Sequence, residues 1–220
     1  MDWFVNAYRL LCKGGYAMIP LLVCSFVSVA VLIERFMAIR RAQVDVSEPV
    51  RSAEDALYEG DTNRAVQILS AYDSPVARVL IAGIQTKHLG EKGAERAMEE
   101  QGTIEVRQLT RWLGALDTII TIAPLLGLFG TVTGMISAFH VIASKEGIST
   151  PTAITGGVAE ALIATATGLA IAIFTLVGYN YLQERIKHIV AEIEARGTAM
   201  INVLADIRER VSHEDKRLSA

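Results

Sequence analysis

One carboxyl stands alone in a long uncharged run. From Gly147 to Gln183, thirty-seven residues include a single charge, Glu160. A carboxyl inside a membrane span costs about 2.5–3.5 kcal/mol on insertion scales, so such a residue is a functional candidate by default. Desolvation would favour its neutral form, which makes proton uptake and release its natural chemistry. The alternative is a carboxylate near enough to the membrane surface to be wetted. Two threonines, Thr131 and Thr165, sit about fourteen residues into the second and third apolar runs from opposite ends. At 1.5 Å per residue both lie roughly 20 Å into their helices, near a common depth. A hydroxyl there can serve a titrating acid in either protonation state, or it can simply bond its own i−4 carbonyl. His140 falls in the outer quarter of the second run. It could relay protons or be an interfacial, hydrogen-bonded histidine.

The elements that carry these residues follow from the charge pattern. Of 220 residues, 51% are hydrophobic, the net charge is -3 and the mean hydropathy is +0.35. Gly14–Ile33 and Thr118–Ser144 carry no charge at all. About twenty helical residues cross a bilayer core, so the chain holds three crossings and is no ordinary soluble globule. The predicted fold is all-α. Residues 1–13 form an interfacial amphipathic helix or a frayed terminus, and 14–33 the first span, too long for a cleaved signal core. Residues 34–117 form a helical loop, 118–144 the second span, 151–183 the third, and 184–220 a C-terminal helix and tail. Within the loop, helices are expected over Glu48–Glu59, Thr62–Tyr72 with Asp61 as cap, and from Pro75 to Leu89. One continuous helix is expected from about Gly93 to Ala143. Apolar residues at Ile186, Ile189, Ile193, Met200, Leu204 and Ile207 form a stripe that expects helical partners in the neighbouring copy, and the last eight residues read as disordered.

Arginine and lysine near the span ends divide nine to three. The positive-inside rule puts the 34–117 loop and the C-terminus in the cytoplasm, with the N-terminus and the Lys145–Thr150 turn outside. The balance of charge gives no basic face for nucleic acid. Cys12 and Cys24 have neither metal nor redox spacing. No phosphate loop, His-Glu-x-x-His or Gly-x-Ser-x-Gly occurs, so no metal, no cofactor and no enzymatic activity is expected.

Helical projection gathers small residues into stripes. Gly127, Gly130, Thr131, Gly134, Ser137 and Ala138 fall within about 120°, and Gly157, Ala161, Ala164, Thr165, Gly168 and Ala172 within about 100°. Small stripes let helices approach closely in lipid, where apolar burial no longer drives association. Glu160 lies at the flank of the second stripe.

These runs carry a resemblance. Ala123-Pro124-Leu125-Leu126-Gly127-Leu128-Phe129-Gly130-Thr131-Val132-Thr133-Gly134-Met135 resembles the second-span signature of the MotA/TolQ/ExbB proton-channel family. Gly156-Gly157-Val158-Ala159-Glu160-Ala161-Leu162-Ile163-Ala164-Thr165-Ala166-Thr167-Gly168-Leu169 resembles its third. Three spans rather than the four usual in MotA-type stators, with Ile19-Pro20-Leu21-Leu22 and Ile33-Glu34-Arg35-Phe36, make the ExbB branch the nearer likeness and TolQ the alternative. The resemblance implies a homo-oligomeric ring, a pentamer, around a single-span ExbD/TolR-like partner whose membrane aspartate carries the proton. It assigns Glu160, Thr131 and Thr165 to the proton path, while the stripes themselves assign Gly127, Gly130, Gly134, Gly157 and Gly168 to helix packing. It implies an inner-membrane motor that, through a TonB-like protein, energises transport across the outer membrane. A TolQ-type motor for envelope integrity and a non-conducting scaffold are the other readings.

Overall fold

The computed structural model describes residues 15–144 and 151–218, with side chains from 15 to 140 and from 155 to 210. Every regular element among the described residues is helical. In chain order these are α1 (Met18–Ala42), α2 (Ser47–Tyr58), α3 (Thr62–Ser70), α4 (Pro75–Gln85), a 3-10 turn (Lys87–Leu89), α5 (Glu91–Leu109), α6 (Leu113–Ser144) and α7 (Pro151–Leu218). Three helical stretches are long and apolar enough to cross a membrane: α1, a stretch reaching His140 in α6, and a stretch of α7 beginning at Thr155. The expected helix over 1–13 and the turn at Lys145–Thr150 lie outside the described residues. Contacts divide the chain into two units, residues 1–34 with 112–181, and residues 35–111 with 182–220.

In the first unit, Met18 and Leu21 of α1 pack with Ile119 and Ala123 of α6 and Ala172 of α7. Pro20 falls in the first turn of α1, where its missing N–H costs nothing. Pro124 is interior to α6, a position lipid tolerates where neighbouring helices satisfy the freed backbone. Large apolar side chains point outward from the unit, among them Phe26, Leu125, Phe129, Ile136, Leu162 and Phe174. Water would penalise that surface, but lipid tails do not.

The expected continuous helix over Gly93–Ala143 is interrupted. α5 closes at Leu109 and α6 begins at Leu113. Trp112 adopts φ 65°, and one left-handed residue cannot continue a right-handed ladder. The N–H groups of Ala115 and Leu116 donate to the Trp112 carbonyl, starting α6 afresh. Neither glycine nor proline occurs from Leu109 to Leu113, so the sequence carries no breaker signal there.

The second unit is held by aliphatic burial and local caps. Asp61 accepts from the Arg64 N–H at 2.9 Å and so caps α3. Pro75 opens α4. Beyond α4, the Thr86 hydroxyl donates to the Ala82 carbonyl at 2.8 Å, and the chain tightens into the 3-10 turn before Gly90. Ile186, Ile189, Ile193, Met200 and Leu204 of α7 are buried. Within this chain they meet helices of the same unit: Val190, Ile193 and Ile201 face Val79 of α4 and Met98 and Val106 of α5. α4 and α5 supply apolar faces close at hand, so the stripe is satisfied locally. α7 also runs to Leu218 where a disordered tail is expected. No glycine or proline follows Gly197, so nothing stops the helix.

Candidate functional site

The site residues rest on the pairing of α6 with α7. A Cβ built on Gly127 would lie 2.9 Å from Thr165 Cα, one on Gly130 would lie 2.6 Å from Ala164 Cβ, and one on Gly134 would lie 3.0 Å from the Gly157 carbonyl oxygen. A Cβ on Gly157 would come 2.8 Å from Ala138 Cβ, and one on Gly168 would strike the Ala123 carbonyl oxygen. As the numbers rise along α6 they fall along α7, so the helices are antiparallel. At each of these positions any larger side chain collides with a neighbour, mostly backbone, which cannot move aside. The glycines are therefore what permits the close approach.

Thr165 is tied across this seam. Its hydroxyl donates to the Gly127 carbonyl at 3.0 Å. The Thr131 hydroxyl donates to the Leu128 carbonyl at 2.6 Å, within its own helix. Thr131 is one turn, about 6 Å, along α6 from Gly127, so the two hydroxyls sit at neighbouring levels. Both residues are half-buried. Interhelical hydrogen bonds in membranes average only about 0.6 kcal/mol, so the Thr165 bond orients its hydroxyl more than it holds the helices. Thr175, which the sequence reading did not single out, is fully buried and donates to the Ile171 carbonyl at 2.7 Å. Its signal was no different from that of any threonine in a helix.

Glu160 is half-buried. Its carboxyl lies directly against the backbone of Gly15, the residue that leads into α1. His140 is exposed on this chain and is not brought to the threonines or to Glu160 by any described contact. Among the described residues no group of acidic, histidine or cysteine side chains could hold a metal ion.

A second acid lies in the other unit. Glu105 of α5 is 1% exposed. Arg78 of α4 donates to both of its oxygens, at 2.8 Å and 2.7 Å, and Gln101 adds a third bond at 2.7 Å. The Arg78 pKa is raised, first by the hydrogen bonds to Glu105 and next by the carboxylate charges of Glu105 and Asp73, against the opposing effect of burial. Arg78 and Glu105 lie 27 residues apart on different helices, a separation that no local spacing rule detects.

Residues 71–195 match the profile of the MotA/TolQ/ExbB proton channel family. The chain belongs to this family. It is 36% identical over 173 residues to a biopolymer transport protein, ExbB-like 1, of Synechocystis sp., covering 77% of this chain and 68% of the relative. The Tol-Pal system protein TolQ of Haemophilus influenzae is 32% identical over 176 residues, covering 75% and 77%. The biopolymer transport protein ExbB of Neisseria meningitidis serogroup A is 29% identical over 189 residues, covering 80% and 84%. As a member of the MotA/TolQ/ExbB family with three apolar spans, the chain is a bacterial inner-membrane protein and a component of a proton-channel motor. The family is one of transport components rather than an enzyme class.

Proposed function

We propose that this chain is the ring subunit of a proton-motive-force-driven motor of the ExbB type. In this reading several copies, five by resemblance, surround a single-span ExbD-like partner with a membrane aspartate. The motor acts on a TonB-like protein to energise transport across the outer membrane. The unit formed by residues 35–111 and 182–220 faces the cytoplasm and the N-terminus lies outside, as the arginine and lysine bias favours.

The observation that carries the reading is the state of the two threonine hydroxyls. Both protons are already given to backbone carbonyls. Each oxygen therefore keeps lone pairs to accept a bond and has no proton to offer. A protonated carboxylic acid on a central helix finds acceptors there. An ionised one finds donors only if a hydroxyl turns away from its carbonyl. A ring built this way favours the neutral acid as it passes and releases the charged one to a wetter place. Glu160, toward the other end of the same seam, is the ring's own titratable group on the route from outside. No step needs a cofactor, and the work comes from proton movement alone.

The test is Thr131→Val with Thr165→Val. Valine keeps the shape and removes both oxygens. Energy-dependent uptake across the outer membrane should fall at least about tenfold, a loss of near 1.4 kcal/mol in the controlling step, while complex yield stays unchanged. Normal uptake in the double variant removes the threonines from the path. A TolQ-type role is the second reading, favoured by the 32% identity to the Haemophilus protein. The two separate in complementation: an ExbB-type chain restores TonB-dependent uptake, and a TolQ-type chain restores resistance to detergents. A passive scaffold would do neither and would tolerate loss of both hydroxyls.

A further inference from the structure

We propose that Gly15 is a positioning residue for Glu160, holding the seat of its carboxyl at the start of α1. The residues are 145 positions apart and belong to one unit. Gly15 has φ +67°, a conformation glycine adopts without strain. A Cβ built on it would lie 1.7 Å from Glu160 Oε1, 2.7 Å from the carboxyl carbon and 3.2 Å from Cγ. The whole end of the glutamate side chain is thus laid against a bare Cα. Glycine is demanded twice here, by backbone and by space.

Other glycines separate the two demands. Gly60, at φ +84°, has nothing within 4 Å of its would-be Cβ. Gly90, at φ +86°, would meet only the mobile end of Arg208. Only at Gly15, among the described glycines of positive φ, would a side chain displace an acid.

The seat is also fixed from behind. The Met18 N–H donates to the Gly15 carbonyl at 3.1 Å, and the Ile19 N–H to that of Tyr16 at 3.3 Å. Ala17 and Met18 are buried, and Ala17 Cβ lies 3.0 Å from the would-be Cβ of Gly130. The turn at Gly15 is therefore anchored to the helix seam beside the acid. The first span, which otherwise presents an apolar face, contributes the wall against which Glu160 rests. Moving that wall changes where the carboxyl sits. The functional consequence rests on the proposal that Glu160 belongs to the proton path, but the contact itself does not.

The test reads Glu160 directly. N,N′-dicyclohexylcarbodiimide modifies protonated carboxyls in apolar surroundings, and mass spectrometry of the purified full-length assembly gives the extent at Glu160 across pH. Gly15→Ala forces the carboxyl into another rotamer, so its labelling rate or pH midpoint should change by roughly threefold to tenfold. Gly60→Ala, which imposes the same kind of backbone strain elsewhere, should leave the Glu160 profile unchanged. A Gly15→Ala profile that superposes on wild type overturns the proposal. If Gly15→Ala assembles poorly, it is combined with Glu160→Asp, whose carboxyl is drawn back by one methylene. Recovery of assembly supports the contact. An identical loss in the Glu160→Asp and Glu160→Ala backgrounds means strain alone and overturns it. Normal transport in Glu160→Gln would remove Glu160 from the proton path and leave the labelling result standing.

Discussion

Two glutamates, one in each unit, show how the surroundings set what an acid can do. Glu105 is fully buried and receives three hydrogen bonds, two of them from an arginine. Its charge is neutralised in place and its geometry is fixed, so it serves as a rivet between α4 and α5. Glu160 is half-buried and rests on a glycine backbone beside a helix seam built from small residues. Glu105 is held in one geometry by its donors, whereas the described contact of the Glu160 carboxyl is with the bare Cα of Gly15. The same contrast runs through the packing. The unit of residues 35–111 and 182–220 is joined by isoleucine, leucine and methionine. In the spans, α6 and α7 meet through glycine and alanine, since lipid gives no reward for hiding a leucine.

The aliphatic side of this contrast breaks most severely. Ile193→Ala with Leu204→Ala removes two buried side chains from α7. Each such loss costs roughly 2–5 kcal/mol, so the pair should lower thermal stability in detergent by several kcal/mol. A melting profile equal to wild type would mean that the stripe is not the core of its unit. The rivet comes next. Arg78→Ala leaves Glu105 buried without its main partner. Breaking a buried pair this way costs 3–5 kcal/mol, and because Arg78 is over a third exposed about 3 kcal/mol is expected. Glu160→Gln, by contrast, should stay within about 0.5 kcal/mol of wild type. Equal losses in the two variants would erase the distinction between the acids.

The seam breaks by crowding. A Cβ on Gly134 would fall 3.0 Å from a carbonyl oxygen and 3.1 Å from Ala161 Cβ. Overpacking costs typically 1–3 kcal/mol, so Gly134→Leu should lower thermal stability in detergent by about that much. Gly114, in the same helix, has nothing within 4 Å. Gly114→Ala should be neutral or stabilise by about 0.4–1 kcal/mol. If both variants behave alike, close approach is not what the glycines provide.

The sequence was most legible where information is local. Charge-free windows gave three spans, and a 3.6-residue period gave both the small stripes and the α7 stripe. Glu160 was visible because a lone charge in thirty-seven residues needs no partner to be conspicuous. Long-range pairings were not legible. Nothing near Arg78 announces Glu105, and nothing near Gly15 announces an acid 145 residues on. The break at Trp112 was hidden for another reason. A tryptophan held left-handed carries none of the usual punctuation, so only the backbone reveals it. The period of the α7 stripe marks a face that needs a partner, but periodicity cannot say whether that partner lies in the same chain.

The smallest expected effect is a pH dependence at the entry to α2. The Asp45 carboxylate accepts from the Ser47 N–H at 2.9 Å. That bond, with a further bond to the Ser47 side chain, lowers the Asp45 pKa below its ordinary 3.8, and the weaker attraction of Arg196 acts the same way. A folded-state pKa below the unfolded one adds stability that is fully present above the unfolded value. It is lost as pH falls through the folded value. The window therefore lies at and below pH 3.8 and not near neutrality. Asp45→Asn keeps an acceptor and removes the titration. Above pH 5 the two proteins should melt close together. On acidification the wild-type midpoint should fall slightly further than that of Asp45→Asn, with the difference confined to the acid end. Because Asp45 is exposed, water and salt compete with its bond, so added salt should shrink the part due to Arg196 and leave the backbone part in place. Parallel acid limbs for the two proteins would show that this bond makes no contribution to anchoring α2. The loss of stability on acidification would then have to come from other carboxylates.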